Sequence, residues 1–328
     1  MRNVWILGTG KMAADIGTFL LTHNCPVTWL SESSEYLASL KKSVEKTMRR
    51  IRKYPPDTIT CAEPSFYTYR NVAITSADII IECTNESLEK KKKVLSFINE
   101  MITDDVILLS NSSSILPGQI HPACLGCHFF YPVALTACVE LIGVSSAGEH
   151  KRNDLLQFLT ECDLSIIIQT EKNAFAANRL LLPLQNELFR LLQAGYPPHL
   201  LDAASSTPIM PIGQLTFIDS VGIDTVYAGV RNYISRMTEH QQHEYTPLTS
   251  GLKEMIRLGK LGRKNKNGLL TGEQLPWPVT VQASPEEIHR RLIELFIGTC
   301  RQFLTENTVS ESDMHLILSF VFQSDISL

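Results

Sequence analysis

The sequence contains no apolar run approaching the roughly 20 uninterrupted residues that a membrane helix needs. It has no internal repeat and no low-complexity tract, and its 17 Gly and 16 Pro in 328 residues rule out a collagen-like or disordered chain. It lacks an excess of charge of either sign. Thirty Lys+Arg against 34 Asp+Glu leave a net charge of −4, which removes the bulk electrostatic case for binding nucleic acid. The apolar stretch near the N-terminus is broken by Gly8, Gly10, Lys11 and Asp15, so it forms no clean hydrophobic core for export. The eight cysteines lie scattered in apolar surroundings, with no second spaced pair to complete a metal site. They read as small hydrophobes in a reducing compartment. The expectation is a soluble cytoplasmic protein with no membrane, nucleic-acid or metal partner.

A chain of 328 residues with 44% apolar content is long enough for two domains. The first half alternates short apolar runs with helical stretches. Strands are predicted at 3–7, 27–30, 77–81 and 106–109, with further candidates at 128–130, 139–142 and 165–168. Helices are predicted at 11–22, 35–53 and 86–100, the second strongly basic and ended by Pro55-Pro56. Alternating strands and helices argue for a mostly parallel sheet covered on both faces. After Lys172 strand patterns become scarce and amphipathic helices take over at 175–193, kinked at Pro183, and at 284–306, opened by the cap signal Ser284-Pro285-Glu286-Glu287. The predicted class is α/β: a Rossmann-like domain over 1–171, then an all-α domain over 172–328.

The glycine loop Gly8-x-Gly10-x-x-Ala13 falls between a predicted strand and a predicted helix. The first glycine permits the tight turn, the second lets a pyrophosphate approach the backbone, and Ala13 still allows close helix–strand packing. The backbone of Gly8, Gly10, Lys11 and Met12 would then offer N–H groups to the phosphates. The acid that binds the adenine ribose is expected about 20 residues further on, at the end of the second strand. Ser31 stands there, followed by Glu32. Ser31 would not repel a 2′-phosphate, no Arg follows at once to bind one, and Glu32 can reach the ribose from the next position. NAD is favoured and NADP left open.

Three further segments carry chemistry: Ser110-Asn111-Ser112-Ser113-Ser114 after a buried strand, His128-Phe129-Phe130-Tyr131-Pro132 with Glu140 twelve residues beyond the His, and Asn178-Arg179-Leu180 opening the second half. Alone, each has an ordinary structural explanation, as core histidine, loop or helix start. Together, in this order, and with Ser220-Val221-Gly222-Ile223-Asp224-Thr225 and Leu261-Gly262-Arg263-Lys264 downstream, they resemble the short-chain L-3-hydroxyacyl-CoA dehydrogenases (3-hydroxybutyryl-CoA dehydrogenase-like) over nearly the whole chain. The resemblance implies an NAD-dependent oxidoreductase of fatty acid metabolism. Its base would be His128, a residue suited to moving a proton near neutral pH, oriented by Glu140. It assigns Ser113 and Asn178 to positioning substrate and nicotinamide, with cofactor contacts at Glu86 and Lys91 and a weaker one at Lys264. Lys90, Lys92 and Lys93 read as a solvated helix face. The resemblance also implies a homodimer paired through the helical half.

Several positions depart from the family pattern. Tyr131 replaces an Asn that lies beside nicotinamide and substrate, so a bulky phenol is expected to reshape the pocket in favour of a short or unusual substrate. Asn173-Ala174-Phe175 replaces Pro-Gly-Phe, Met210-Pro211-Ile212-Gly213 replaces a Gly-Pro stretch, and Ser31 replaces the ribose acid. Where the family meets coenzyme A with a hydroxyl and a Lys, this chain has Thr47 and Tyr54, with Arg49, Arg50, Arg52 and Lys53 alongside. That basic stripe suits a CoA phosphate, an acidic acyl carrier protein, or solvent alone. Two alternatives therefore stand: the same chemistry on a carrier-bound or free hydroxy acid, and a catalytically inactive nucleotide-binding protein on the same fold. The pattern Cys124-x-x-Cys127-His128 matches haem attachment formally, but the same His belongs to the dehydrogenase motif. A redox disulfide between the two cysteines is a lesser expectation.

Overall fold

The computed structural model describes residues 2–53, 61–69, 77–272, 275–282 and 284–328. The residues Tyr54 and Pro55-Pro56, singled out above, lie outside that set. The chain divides into two compact units, 1–174 and 175–328, three residues beyond the expected boundary.

The first unit runs β1 (Val4–Leu7), α1 (Lys11–Thr22), β2 (Val27–Ser31), α2 (Ser34–Lys53), β3 (Pro64–Thr68), β4 (Ile79–Glu82), α3 (Leu88–Ser96), β5 (Ile107–Ser110), α4 (Pro117–Ile120), β6 (Cys124–Phe129), α5 (Val133–Thr136), β7 (Cys138–Ile142), α6 (Glu149–Glu161) and β8 (Ser165–Gln169). The strands form one sheet in the order β3-β2-β1-β4-β5-β6-β7-β8. Every neighbouring pair is parallel except β6 and β7, which are antiparallel. The exception follows from chain length: a parallel return needs a crossover of a dozen or more residues, and only residues 130–137, holding the short α5, separate these two strands.

Alternate residues of each strand enter two separate cores. Val4 and Ile6 of β1 pack with Trp29, Ile79, Ile81 and Leu109 on one face of the sheet. Trp5 and Leu7 pack with Leu30, Ile80 and Leu108 on the other. This is the period-2 alternation of a strand buried on both sides. The basic helix α2 buries Leu37, Leu40, Val44 and Met48 at helical spacing against the first core, while Lys41, Lys42, Lys46, Arg49 and Arg50 stay exposed. Helix α1 lies close on β2. The Trp29 indole Nε1 donates to the Ala13 carbonyl at 2.9 Å, and a Cβ at Gly17 would come within 2.0 Å of the Trp29 ring. Gly17 is therefore the point that lets helix and strand touch.

The second unit is helical: α7 (Ala176–Gln193), α8 (Pro198–Ala204), α9 (Gln214–Val221), α10 (Ile223–Ile234), α11 (Glu239–Glu244), α12 (Thr246–Arg257), α13 (Pro285–Thr305) and α14 (Glu311–Leu316). Helix α7 carries Pro183 inside it and packs against α12 and α13. Helix α13 begins as its sequence predicts, with the Ser284 hydroxyl accepting from the Glu287 N–H. No described helix is long and apolar enough to cross a membrane.

Two expected elements differ from those observed, and one observed strand was not expected. The predicted helix at 86–100 shortens to α3, capped by the Ser87 side chain, with a separate 3-10 turn at Asn99–Met101. The candidate strand at 128–130 begins four residues earlier, as β6. Strand β3 escaped prediction because it is a half-buried edge strand that opens on a proline.

Candidate active site

The glycine loop joins the carboxyl end of β1 to α1. Gly8 has φ +130°, its N–H donates to Leu30 O at 3.0 Å, and a Cβ there would lie 2.7 Å from the Cys83 carbonyl. Only glycine satisfies both the conformation and the contact. Gly10 is the N-cap of α1 and offers no side chain to the first turn, which carries no acidic residue. A Cβ on Gly10 would meet nothing within 4 Å. The first-turn N–H groups thus border open space at the positive end of a helix dipole, an arrangement that fits a dinucleotide pyrophosphate.

At the ends of β2 and β3 lies a cavity of about 440 Å³ lined by Glu32, Ser34, Thr68, Tyr69 and Phe97. Ser31 is buried and its hydroxyl accepts from the Ser33 N–H at 3.3 Å, within its own turn. The acid at this cavity is Glu32, one residue later, and Lys93 of α3 approaches it at 3.5 Å. The ribose-binding function assigned to the end of the second strand is available from Glu32.

His128 on β6 and Glu140 on β7 are register partners across the antiparallel pair. Directly opposed residues place their side chains on the same face of a sheet, and Glu140 Oε2 accepts from His128 Nδ1 at 2.8 Å. Both are buried, Glu140 completely. A carboxylate can only accept, so it places the proton of a neutral ring on Nδ1 and leaves Nε2 as the basic nitrogen. The Phe130 ring stands edge-on to the imidazole, with centroids 4.6 Å apart. The Asn111 Oδ1 accepts from the Phe129 N–H at 2.9 Å, fixing the serine-rich loop after β5 to the strand that carries His128.

That loop is held from below by a buried ionic network. Glu82, at the end of β4, accepts from Lys91 Nζ at 2.8 Å, Ser110 Oγ at 2.6 Å and the Thr84 N–H at 2.6 Å. Glu86 accepts from Ser112 Oγ at 2.7 Å, the Ser113 N–H at 3.1 Å and Ser114 Oγ at 2.5 Å. Lys91 lies 3.6 Å from Glu86 and is itself only 1% exposed. Burial works to raise the Glu86 carboxyl, but Lys91 and the serine hydrogen bonds outweigh it and hold the group below its ordinary value. Burial works equally against the Lys91 charge, and the two glutamates overcome it, pushing the ammonium above its ordinary value. Lys91 is thus the cation shared by Glu82 and Glu86, and Glu86 shapes the turn that carries Ser113.

The remaining residues singled out in the sequence fall elsewhere. Tyr131 is about half exposed, with Lys11 Nζ 3.4 Å from its ring centroid. Thr47 is exposed on α2 and its hydroxyl donates to Ser43 O, while Lys53 is the exposed last residue of that helix. In the second unit, Asn178 Nδ2 donates to Tyr233 Oη at 3.0 Å, and Lys264 is ion-paired with Asp224. The disulfide expectation for Cys124 and Cys127 fails. Both thiols are free and buried, and three residues of a strand put them in the two cores on opposite faces of the sheet. Among the described residues no group of three or more His, Cys, Asp or Glu could hold a metal ion.

Sequence reasoning missed Glu82, Asn111, Ser112, Ser114 and Asp15 as supports of the site. Asp15 Oδ2 accepts from the Val133 N–H at 2.8 Å and so ties α1 to the start of α5. Glu82 carried a usable signal: an acid ending a fully buried strand demands a partner, and Lys91 follows at the start of the next helix.

Comparison with known proteins agrees with this geometry. Residues 3–171 match the family model for the NAD binding domain of 3-hydroxyacyl-CoA dehydrogenase, and residues 175–272 match the model for its C-terminal domain. The chain is 26% identical to a probable 3-hydroxyacyl-CoA dehydrogenase of Caenorhabditis elegans, over 82% of this chain and 95% of that one. It is 25% identical to the mitochondrial hydroxyacyl-coenzyme A dehydrogenase of Homo sapiens, over 83% and 90%. The crystal structure of (S)-3-hydroxybutyryl-CoA dehydrogenase from Ralstonia eutropha superposes with a TM-score of 0.71 at 26% identity, covering 84% of this chain and all of that one. With both domain models matched in succession, the chain belongs to the 3-hydroxyacyl-CoA dehydrogenase family of NAD-dependent oxidoreductases.

Proposed function

We propose that the protein interconverts a 3-hydroxyacyl-CoA and the 3-oxoacyl-CoA, with His128 as the proton-transferring group. The observation that carries this reading is the 2.8 Å contact between His128 Nδ1 and Glu140. In the oxidative direction His128 Nε2 accepts the proton of the substrate's 3-hydroxyl. Glu140 holds the ring in that tautomer and stabilises the imidazolium that forms. Bound NAD supplies the acceptor for the hydride that leaves the same carbon. Ser113, on the turn fixed by Glu86, holds the substrate oxygen, and the family motif assigns Asn178 to the substrate as well. In the reductive direction His128 returns the proton to the ketone. Gly8, Gly10, Lys11 and Met12 hold the pyrophosphate, Glu32 takes the ribose in place of Ser31, and Thr47 and Lys53 on α2 meet the CoA.

The domain limits of 1–171 and 172–328, a homodimer through the helical domain and a cytoplasmic location complete the proposal. The carrier-protein alternative has the exposed basic face of α2 in its favour and nothing more specific. Retirement of the enzyme is disfavoured by the intact His128–Glu140 pair. The test is formation of NADH from NAD with 3-hydroxybutyryl-CoA, run beside free 3-hydroxybutyrate and the carrier-protein thioester. Turnover of the CoA ester above the other two supports the reading, and turnover of the free acid or the carrier thioester alone overturns it.

A further inference from the structure

Two residues meet beside the glycine loop. Lys11 is the first residue of α1, and Tyr131 stands where the family pattern has Asn, three residues after His128. The Lys11 ammonium lies 3.4 Å from the centroid of the Tyr131 ring, inside cation–π range. Lys11 is exposed, and among the described residues no carboxylate lies within salt-bridge distance of it. The acid nearest in sequence on its own helix, Asp15, accepts from the Val133 N–H and feels the Lys11 charge without forming a salt bridge to it. Asp15 and the Lys11–Tyr131 contact together fasten the segment 131–133 to the first turn of α1. The same turn begins beside Gly10, where a Cβ would meet nothing within 4 Å.

We propose that Lys11 is a side-chain counter-ion for the dinucleotide pyrophosphate, and that Tyr131 is a positioning residue that holds its ammonium at the glycine loop. A lysine on a flexible stem loses rotamer freedom when it grips an anion. Resting on an aromatic face, the ammonium is already ordered and keeps its charge for an incoming phosphate. A glycine loop ordinarily binds phosphates with backbone N–H groups alone, and this chain adds a full positive charge. On this account Tyr131 acts toward the cofactor and is not simply bulk removed from the acyl pocket. The proposal rests on the dinucleotide reading of the loop.

The test is equilibrium binding of NADH, ADP-ribose and adenosine, by fluorescence or calorimetry, to the whole protein. Lys11→Met should weaken NADH and ADP-ribose about tenfold, the loss of one charged contact, and leave adenosine within twofold. Tyr131→Asn should weaken NADH about two- to fivefold, and Tyr131→Phe should restore the affinity because it keeps the ring face. The double variant Lys11→Met/Tyr131→Asn should be no weaker than Lys11→Met alone, since the second residue acts through the first. Unchanged NADH binding in Lys11→Met, equal losses for adenosine, or additive losses in the double variant would overturn the proposal while leaving the dehydrogenase reading intact. Wild-type protein that binds neither NADH nor ADP-ribose would overturn both.

Discussion

His128 and Glu140 sit directly opposite each other on β6 and β7, the only antiparallel neighbours among the described strands, with Nδ1 and Oε2 2.8 Å apart. The pairing register itself creates the contact, so the dyad depends on the short turn that reverses the chain between the two strands.

Removing the imidazole should therefore leave the fold and lose the chemistry. His128→Asn should lower turnover by about 10²–10⁴, the usual cost of losing a general base, with NADH affinity within twofold of wild type. Glu140→Gln should lower turnover strongly as well, because an amide can donate to Nδ1 and favour the wrong tautomer. Its loss should appear in kcat more than in KM.

Lys91 is predicted to be a structural keystone. Lys91→Met leaves two buried carboxylates without their cation, a change that costs about 3–5 kcal/mol. Denaturant unfolding should show that loss as a shift in midpoint. A double variant Lys91→Met/Glu82→Gln should recover part of it, since one of the two stranded charges is gone.

The same network sets a pH dependence. The Glu86 carboxyl is held below its ordinary 4.5 in the folded protein. Its contribution is present above the unfolded carboxylate range and lost as pH falls through the lowered folded value. Replacing Ser112 and Ser114 by Ala removes hydrogen bonds that lower it, so acid unfolding should begin at a higher pH. Lys91 behaves oppositely. It is raised above 10.5, so its contribution is full below that pH and lost as pH rises through the folded value. Thermal melts across both limbs would show the two effects separately.

Close approach of α1 to β2 makes Gly17 intolerant of a side chain. Gly17→Ala puts a methyl group within 2.0 Å of the Trp29 ring, and overpacking of this kind costs about 1–3 kcal/mol. The melting temperature should fall, with Trp29 fluorescence altered.

The cysteines should distinguish themselves by accessibility. Seven are buried and Cys61 alone is partly exposed. Burial raises the thiols of Cys83, Cys124 and Cys127 well above their ordinary value, which suppresses the reactive thiolate. Iodoacetamide should label the native protein first at Cys61, and the others after unfolding, as peptide mass spectrometry would show.

Much of this was legible in the residues. The continuous apolar runs at 79–81 and 107–109 and the glycine loop define the sheet and its helix, because strands buried on both faces need such runs. His128 and Glu140 were identifiable through the family motif, but their register was not, since periodicity does not say which strands pair antiparallel. Strand β3 gave little signal because a half-buried edge strand needs neither strict alternation nor a continuous apolar run. The Glu82–Lys91–Glu86 network was hidden by the lysine run at 90–93, whose members look alike in sequence. Only helix geometry turns Lys91 inward and its neighbours out. The contact of Lys11 with Tyr131 joins residues far apart in the chain and could be seen only in three dimensions.

The most direct measurement follows absorbance at 340 nm with acetoacetyl-CoA and NADH, for wild type and His128→Asn in parallel. The account predicts rapid NADH oxidation by the wild type and a loss of about 10²–10⁴ in the variant, with NADH binding preserved in both. Near-equal rates in the two proteins, or a wild type that binds NADH and leaves acetoacetyl-CoA unreduced, would contradict it.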